Sequence, residues 1–408
     1  MRHRARAGRI AVVAAAVAAS ALAGCSQGGN ESVVVVSPSL TAAPSTDASA
    51  SATDDATSED GTGRGTGTTG SAPFDPDGVP DVVATVATGL ATPWGLDFLP
   101  DGRAVVTERD SGRVLVVTAP PSGSDREGTV TEVGTLPQTA ARGEAGLLGV
   151  AVSPTFSRDR TLYFYVCTAT DNRVVRARLT GSGLGATTPV LTGIPNGFIH
   201  DGGRLRFGPD GYLYVSTGEA GESSLARDRG SYAGKILRIT TDGEPAPDNP
   251  FGTTVWSWGH RNIEGLAFDG QGQLWASEFG QDTADELNRI VPGEDYGWPV
   301  VEGRGGAGRY AQPALTWSPD DASPAGLAFV DGHLWMAALK GERLWRITVA
   351  GGRASDPTAY LMDGRDGGYG RLRTVELAPD GRLWVTTSNR DGRGEPTEGD
   401  DRILLIEP

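Results

Sequence analysis

The sequence predicts an all-β protein, a six-bladed β-propeller carried behind a signal peptide and a disordered tether. Three observations predict it. A strand–turn–strand pattern recurs six times at intervals of roughly 50 to 60 residues, the long end of propeller repeats. Glycine supplies 59 of the 408 residues, as in a chain of many tight turns. From residue 81 onward no sustained helical periodicity competes with the strands.

The copies follow in order. The first runs from Gly95-Leu96-Asp97-Phe98 through Leu99-Pro100-Asp101-Gly102 into Ala104-Val105-Val106. The second, Leu148-Gly149-Val150-Ala151-Val152, leads to Leu162-Tyr163-Phe164. The third turns from Leu205-Arg206-Phe207 through Gly208-Pro209-Asp210-Gly211 into Leu213-Tyr214-Val215. The fourth runs from Gly265-Leu266-Ala267-Phe268 past Asp269-Gly270 to Leu274-Trp275, and the fifth from Gly326-Leu327-Ala328-Phe329 through Asp331-Gly332 to Leu334-Trp335. The sixth passes from Val375-Glu376-Leu377 through Pro379-Asp380-Gly381 to Leu383-Trp384-Val385. Asp-Gly turns accept the positive φ that hairpins need. One hairpin cannot bury its own apolar face, so the copies must stack, and the spacing leaves room for four strands in each. A pair of stacked β-sandwiches, the competing all-β reading, has no place for six evenly spaced copies.

Charge and termini narrow the function. The 36 basic and 51 acidic side chains leave a net charge of −15, which excludes general binding to nucleic-acid backbones. Arg2, Arg4, Arg6 and Arg9 precede an Ala/Val run that ends in Leu22-Ala23-Gly24-Cys25. This resembles the lipobox of bacterial lipoproteins. Residues 1–24 are therefore expected to be a lipoprotein signal peptide and Cys25 the lipidated residue; an ordinary secretory signal is the alternative. Residues 25–80, rich in Ser, Thr, Ala and Gly, bury too little apolar surface to fold and are expected to be a tether. That leaves 81–408 for the propeller, outside the cytoplasm and held to the membrane by its lipid alone. Cys167, in Leu162-Tyr163-Phe164-Tyr165-Val166-Cys167, is expected to be a core thiol, with no disulfide in the fold.

Propeller ligands sit at the channel mouth, so the loops beside the repeats hold the candidates. His200, His260 and His333 show no metal-ligand spacing, and no zinc or iron site is expected. His200 immediately precedes the third inner strand and is a candidate general base. Glu219 follows the next strand of that hairpin, where the chain doubles back toward the imidazole. A loop histidine with a structural partner is the other reading. Arg261 and Asn262 can both address carbonyl or carboxylate oxygens, or can form a surface salt bridge. Lys340 is one of only two lysines. Arg371 and Arg373 share one side of an extended segment, as an anion clamp or as a solvated face. Together they describe a cationic funnel around one base, suited to a small polyanionic ligand.

Longer runs carry a family likeness. They are Gly143-Glu144-Ala145-Gly146-Leu147-Leu148-Gly149, His200-Asp201-Gly202-Gly203-Arg204-Leu205, Gly218-Glu219, Gly234-Lys235-Ile236-Leu237-Arg238, Asp248-Asn249-Pro250-Phe251, residues 256–265, Asp285-Glu286-Leu287-Asn288, Tyr296-Gly297-Trp298-Pro299 and the Arg371/Arg373 pair. In this order, over about residues 83–406, the chain resembles the soluble glucose and aldose sugar dehydrogenases that depend on pyrroloquinoline quinone (PQQ). The resemblance implies that His200 takes the proton of an aldose's anomeric hydroxyl while hydride passes from C1 to the quinone, giving a lactone and sending electrons to an external acceptor. It implies that Glu219 orients that base and that Arg261 and Asn262 meet the quinone oxygens. It assigns the cofactor's acidic groups to Lys340, Arg371 and Arg373, with Glu144 beside them. It also implies a Ca²⁺ ion held by the cofactor and the backbone carbonyls of Gly280 and Gln281. Two positions depart from the family pattern: Glu144 replaces a Gln of glucose-oxidising members, and Gln281 replaces a common Pro. Short loops point to the broad-specificity aldose branch and to a monomer. A propeller that binds sugar or protein without catalysis, and a calcium-dependent hydrolase built on side-chain ligands, are the competing functions.

Overall fold

The structure, a computed structural model, describes residues 78–121, 126–362 and 368–408, which build six antiparallel sheets. The expected signal peptide, Cys25 and the tether up to residue 77 lie outside the described residues. Blade 1 consists of Pro93–Phe98, Ala104–Glu108, Arg113–Val117 and Val130–Thr135. Blade 2 consists of Leu147–Val152, Thr161–Cys167, Asn172–Thr180 and Thr188–Ile194, with Gly183–Leu184 as a short addition. Blade 3 is Leu205–Phe207, Leu213–Ser216, Lys235–Ile239 and Val255–Trp258. Blade 4 is Asn262–Phe268, Leu274–Phe279, Asp285–Arg289 and Leu315–Trp317. Blade 5 is Pro324–Val330, His333–Ala338, Arg343–Ala350 and Arg353–Tyr360. Blade 6 takes Leu372–Leu377, Leu383–Thr387 and Ile403–Glu407 from the end of the chain, and its outermost strand, Asp81–Ala87, from the beginning. That strand pairs from Asp81 opposite Glu407 to Ala87 opposite Ile403, so the two ends of the domain close the ring.

The recurring Pro-Asp-Gly signal has a local cause. In blade 1 the Gly102 N–H bonds Leu99 O at 2.9 Å and the Leu99 N–H bonds Arg103 O at 2.7 Å. Gly102 has φ +85°, a value glycine adopts without strain. Asp101 completes the turn by accepting the Arg103 N–H at 3.2 Å. The same bonds recur around Asp210-Gly211 and Asp380-Gly381. In blade 2 the short helix Phe156–Asp159 stands in place of this turn.

Burial lies between blades. Each of six apolar clusters joins neighbouring sheets; Trp384 of blade 6 packs edge-on to Phe98 of blade 1 at 5.1 Å. Trp275, Trp335 and Trp384 occupy matching places in second strands and are fully buried, a large apolar contribution per repeat. Inner strands touch in sequence around the channel, and the sixth returns to the first. Glycine permits that approach: a Cβ on Gly265 would lie 2.3 Å from Ala325 O and 2.2 Å from Ser277 Oγ. Hydroxyls fasten the joints. Thr107 bonds Leu148 O at 2.5 Å, Ser216 bonds Ile263 O at 2.8 Å and Ser277 bonds Ala325 O at 2.5 Å, each reaching the next blade. Cys167 is a buried free thiol.

This topology places the functional loops. In a four-stranded antiparallel blade, the entrance to the inner strand and the turn between the second and third strands share one end. Glu144, His200, Arg261 and Arg371 sit at such entrances; Arg109, Glu219, Gly280, Lys340 and Arg393 sit in such turns.

Candidate active site

His200 has φ +60°, a left-handed value that costs a non-glycine residue about 1 kcal/mol. Three contacts hold the loop in place. The His200 N–H donates to Glu144 Oε2 at 2.8 Å, the Ala220 N–H donates to His200 O at 2.9 Å, and the Gly202 N–H donates to Asn262 Oδ1 at 2.9 Å. On the ring, Nδ1 bonds Glu219 Oε1. An ionised Glu219 makes Nδ1 the donor and leaves Nε2 as the basic nitrogen. No described residue bonds Nε2. Glu219 is buried, and its second oxygen has no partner among the described residues.

Arg261 adjoins this pair: its carbonyl accepts the Glu219 N–H at 2.8 Å. Its own N–H bonds Glu278 Oε1 at 2.6 Å, its guanidinium lies 5.4 Å from the Trp298 ring centre, and its Nε is buried without a partner among the described residues. Burial lowers the guanidinium pKa from its ordinary value, while Glu219 and Glu144 pull it back up. Asn262 Oδ1 is occupied by Gly202, so only its amide nitrogen, 3.5 Å from Glu264, remains for a ligand.

Beside this wall opens a cavity of about 280 Å³. Trp94 and Phe279 give it apolar faces, and Arg109, Lys340, Arg371, Arg373 and Arg393 outnumber Glu144, Glu264 and Asp391 in its lining. The expected clamp is not a pair of bare cations. Arg371 is paired with Asp391 at 2.9 Å; Arg373 is paired with Glu264 at 2.7 Å and reaches Asp391 at 3.4 Å. Lys340 stands at the exposed edge, 2.5 Å from Asp320. Below them Arg204 lies 4.4 Å over the Trp94 ring and donates to Glu264 O at 2.7 Å. Burial pulls this guanidinium down to about 10 against the opposing pull of Glu264.

Glu144 joins the two parts. One oxygen accepts the His200 N–H and the other meets Arg393 Nη2 at 2.8 Å. Burial opposes its ionisation, but the His200 N–H and Arg393 outweigh burial and hold the carboxyl below its usual range. The imidazole and the arginines thus share one rim. Gly280 and Gln281 follow Phe279 at the cavity edge. Sequence reasoning misses Arg393, Asp391, Glu264, Arg109 and Trp94. A usable signal exists: Arg390-Asp391-Gly392-Arg393 occupies in blade 6 the turn that Glu219 occupies in blade 3.

Comparisons with known proteins give the family. The family model for glucose/sorbosone dehydrogenases matches residues 90–404. An uncharacterised protein of Synechocystis is 33% identical over 77% of this chain and 86% of its own length. The aldose sugar dehydrogenase YliI of Escherichia coli is 28% identical over 74% of this chain and 89% of its own. The PQQ-bound structure of an aldose sugar dehydrogenase from Streptomyces coelicolor aligns with a TM-score of 0.77 and 50% identity, over 82% of this chain and 99% of that one. With a family match over most of its length and a site assembled at one end of six blades, the chain belongs to the glucose/sorbosone dehydrogenase family.

Proposed function

We propose that the protein is a PQQ- and calcium-dependent aldose sugar dehydrogenase that oxidises the anomeric carbon to a lactone. The site suits such a cofactor. Its cavity is rich in cations and walled by two aromatics, and Arg261 Nε is an orphaned donor beside it. The carbonyl oxygens of Gly280 and Gln281 accept no hydrogen bond from described residues and are hard donors of the kind calcium takes. Among the described residues no three His, Cys, Asp or Glu side chains converge on a metal position, so a cation here rests on carbonyls.

The observation that carries the proposal is His200, whose Nδ1 is tied to a buried carboxylate while Nε2 has no bond from described residues. PQQ, when bound, supplies the two-electron acceptor. The chain supplies the rest. Nε2 takes the hydroxyl proton, and Glu219 stabilises the imidazolium that results. Arg261 directs a half-buried positive charge at developing negative charge. Arg371, Arg373 and Lys340 hold acidic groups of the cofactor by exchanging their present carboxylate partners. Arg393 keeps Glu144 ionised, so the Gln-to-Glu departure serves as a brace for the His200 loop. Electrons leave to an external acceptor, and the enzyme works as a monomer outside the cytoplasm, anchored through Cys25.

The test is reconstitution of the purified chain with PQQ and Ca²⁺ and assay of dye reduction with a panel of aldoses. Reduction by aldoses is expected. Absence of reduction, with no thermal shift on adding both cofactors, overturns the proposal and leaves a binding propeller.

A further inference from the structure

The Gly280-to-Ala284 turn of blade 4 is wrapped around a side chain that belongs to a different loop. Glu302 Oε1 accepts four consecutive backbone N–H groups, those of Gln281 at 2.7 Å, Asp282 at 2.9 Å, Thr283 at 2.8 Å and Ala284 at 3.1 Å. The preceding N–H, of Gly280, is taken by Asp285 Oδ1 at 2.8 Å. A trans peptide is planar, with its C=O antiparallel to its N–H. The N–H of Gln281 shares a peptide plane with Gly280 O, and the N–H of Asp282 with Gln281 O. Aiming both N–H groups at Glu302 therefore points both carbonyls away from it. No described residue bonds either oxygen.

We infer that Glu302 is a positioning residue for calcium: it turns the Gly280 and Gln281 carbonyls into a preformed pair of metal donors without touching the ion. The inference rests on the calcium reading above and adds the residue that builds the site. Close packing supports it. A Cβ on Gly280 would come 2.7 Å from Glu302 Oε1 and 2.0 Å from Ala284 O, so the turn admits the carboxylate only with glycine there. Next to Glu302, the Gly303 N–H is pinned to Glu286 Oε1 at 2.7 Å, and a Cβ on Gly303 would meet Ala284 Cβ at 2.8 Å. The carboxylate is thus delivered by a fixed backbone. Four donors on one oxygen cannot be reproduced by water without loosening the turn.

The experiment titrates Ca²⁺ into the PQQ-supplemented full chain by calorimetry, with thermal melting of the calcium-free, PQQ-free protein as a check on folding. Glu302→Ala should raise the half-saturating Ca²⁺ concentration by about tenfold or more, the scale seen when a partner supporting a metal ligand is lost. Glu302→Asp keeps the charge but falls a methylene short, and should behave like the alanine variant. Glu302→Gln keeps both reach and an acceptor oxygen, and should bind more tightly than the aspartate variant. Wild-type affinity in the alanine variant, or an aspartate variant as good as the glutamine one, overturns the inference; the second result makes the carboxylate a mere nearby charge. Should the alanine variant not fold, the order of the other two decides. Failure of the wild-type chain itself to bind Ca²⁺ overturns the calcium reading, and with it this inference.

Discussion

Two histidine–glutamate pairs stand one blade apart, and in one of them an imidazole nitrogen has no partner among the described residues. His200 and Glu219 are joined through Nδ1, as are His260 and Glu278 at 2.8 Å. The other nitrogen separates them. His260 Nε2 is 2.8 Å from Ser257 Oγ, and its ring stacks on Tyr296 at 4.5 Å with no side-chain surface exposed. His200 keeps 12% of its side chain exposed, and its N–H bonds Glu144, a residue of the cavity wall. Glu278 also commits its second oxygen to the Arg261 N–H, whereas the second oxygen of Glu219 has no described partner. The same two residue types therefore give a structural bracket where every polar atom is satisfied, and a pair with one imidazole nitrogen left over, the feature on which the proposed base role rests. What the pair does is set by its surroundings.

The largest test of that contrast is to remove both imidazoles in turn. His200→Asn should lower kcat about a thousandfold, within the range for loss of a general base, while PQQ binding and the melting temperature hold. Stopped-flow turnover with bound-cofactor absorbance checks both; turnover near wild type would make His200 a bracket as well. His260→Ala should act through the fold. It leaves a buried Glu278 and the Ser257 hydroxyl short of partners and opens space beside Tyr296, for a loss of about 3 kcal/mol in urea unfolding. Arg261 loses its firm seat in that variant, so residual activity should show weakened cofactor retention rather than a lost base.

Legibility followed the same line. The six hairpins could be read because each lies within a short stretch and announces its turn: Pro-Asp-Gly is the chemistry that turn demands. The His200–Glu219 pair was readable because both residues flank one hairpin. The cross-blade pairs were not. Arg373 meets Glu264 from 109 residues away, and nothing in the local pattern of either strand names the other. The closing strand Asp81–Ala87 was hidden for the same reason, since its sheet partner among the described residues is the far end of the chain. His260 shows in the sequence only as a residue without metal-ligand spacing, although Glu278 lies 18 residues on in the same hairpin, because Glu278 falls inside the strand Leu274–Phe279 and not in the turn after it, where Glu219 stands. Motif resemblance could name Arg371 and Arg373 as cofactor ligands but could not show that each already holds a carboxylate.

A smaller effect sharpens the contrast at the loop that carries His200. Arg393→Gln removes the cation that keeps Glu144 ionised while leaving the His200–Glu219 bond alone. Burial then pushes the Glu144 carboxyl upward, and the His200 N–H loses its charged acceptor. The expected result is a decrease in kcat of about tenfold, the size of one charge-assisted hydrogen bond, with an acid limb of the pH profile moved to higher pH. Glu144→Gln in the same background should recover part of the loss, because a neutral amide accepts that N–H without needing a counter-charge. An unchanged pH profile in Arg393→Gln would reduce the Arg393–Glu144 bridge to a surface contact.

The smallest effect probes a satisfied group at the other end of the channel. Asp97 accepts the Phe98 N–H at 2.8 Å and the Val152 N–H at 2.7 Å, so both oxygens are taken, as they are in the His260 bracket. Burial raises its pKa to about 6 from an ordinary 3.8, with Glu376 adding to the rise and Arg206 opposing it. The folded state therefore holds this proton more tightly than the unfolded chain does. The stabilisation is complete below the ordinary value and is lost as the pH rises through about 6. Asp97→Asn carries no such proton, so its stability relative to wild type should improve by about 1 to 2 kcal/mol between about pH 4.5 and pH 7, since a proton held only by the folded state is worth about 1.4 kcal/mol for each pH step. Urea unfolding at the two pH values measures this directly. A constant difference would mean that the carboxylate is already charged when folded, with Arg206 outweighing burial. Turnover should stay at the wild-type level, because a half-buried acid with both oxygens bound, at the far end of the channel, has no atom left for substrate.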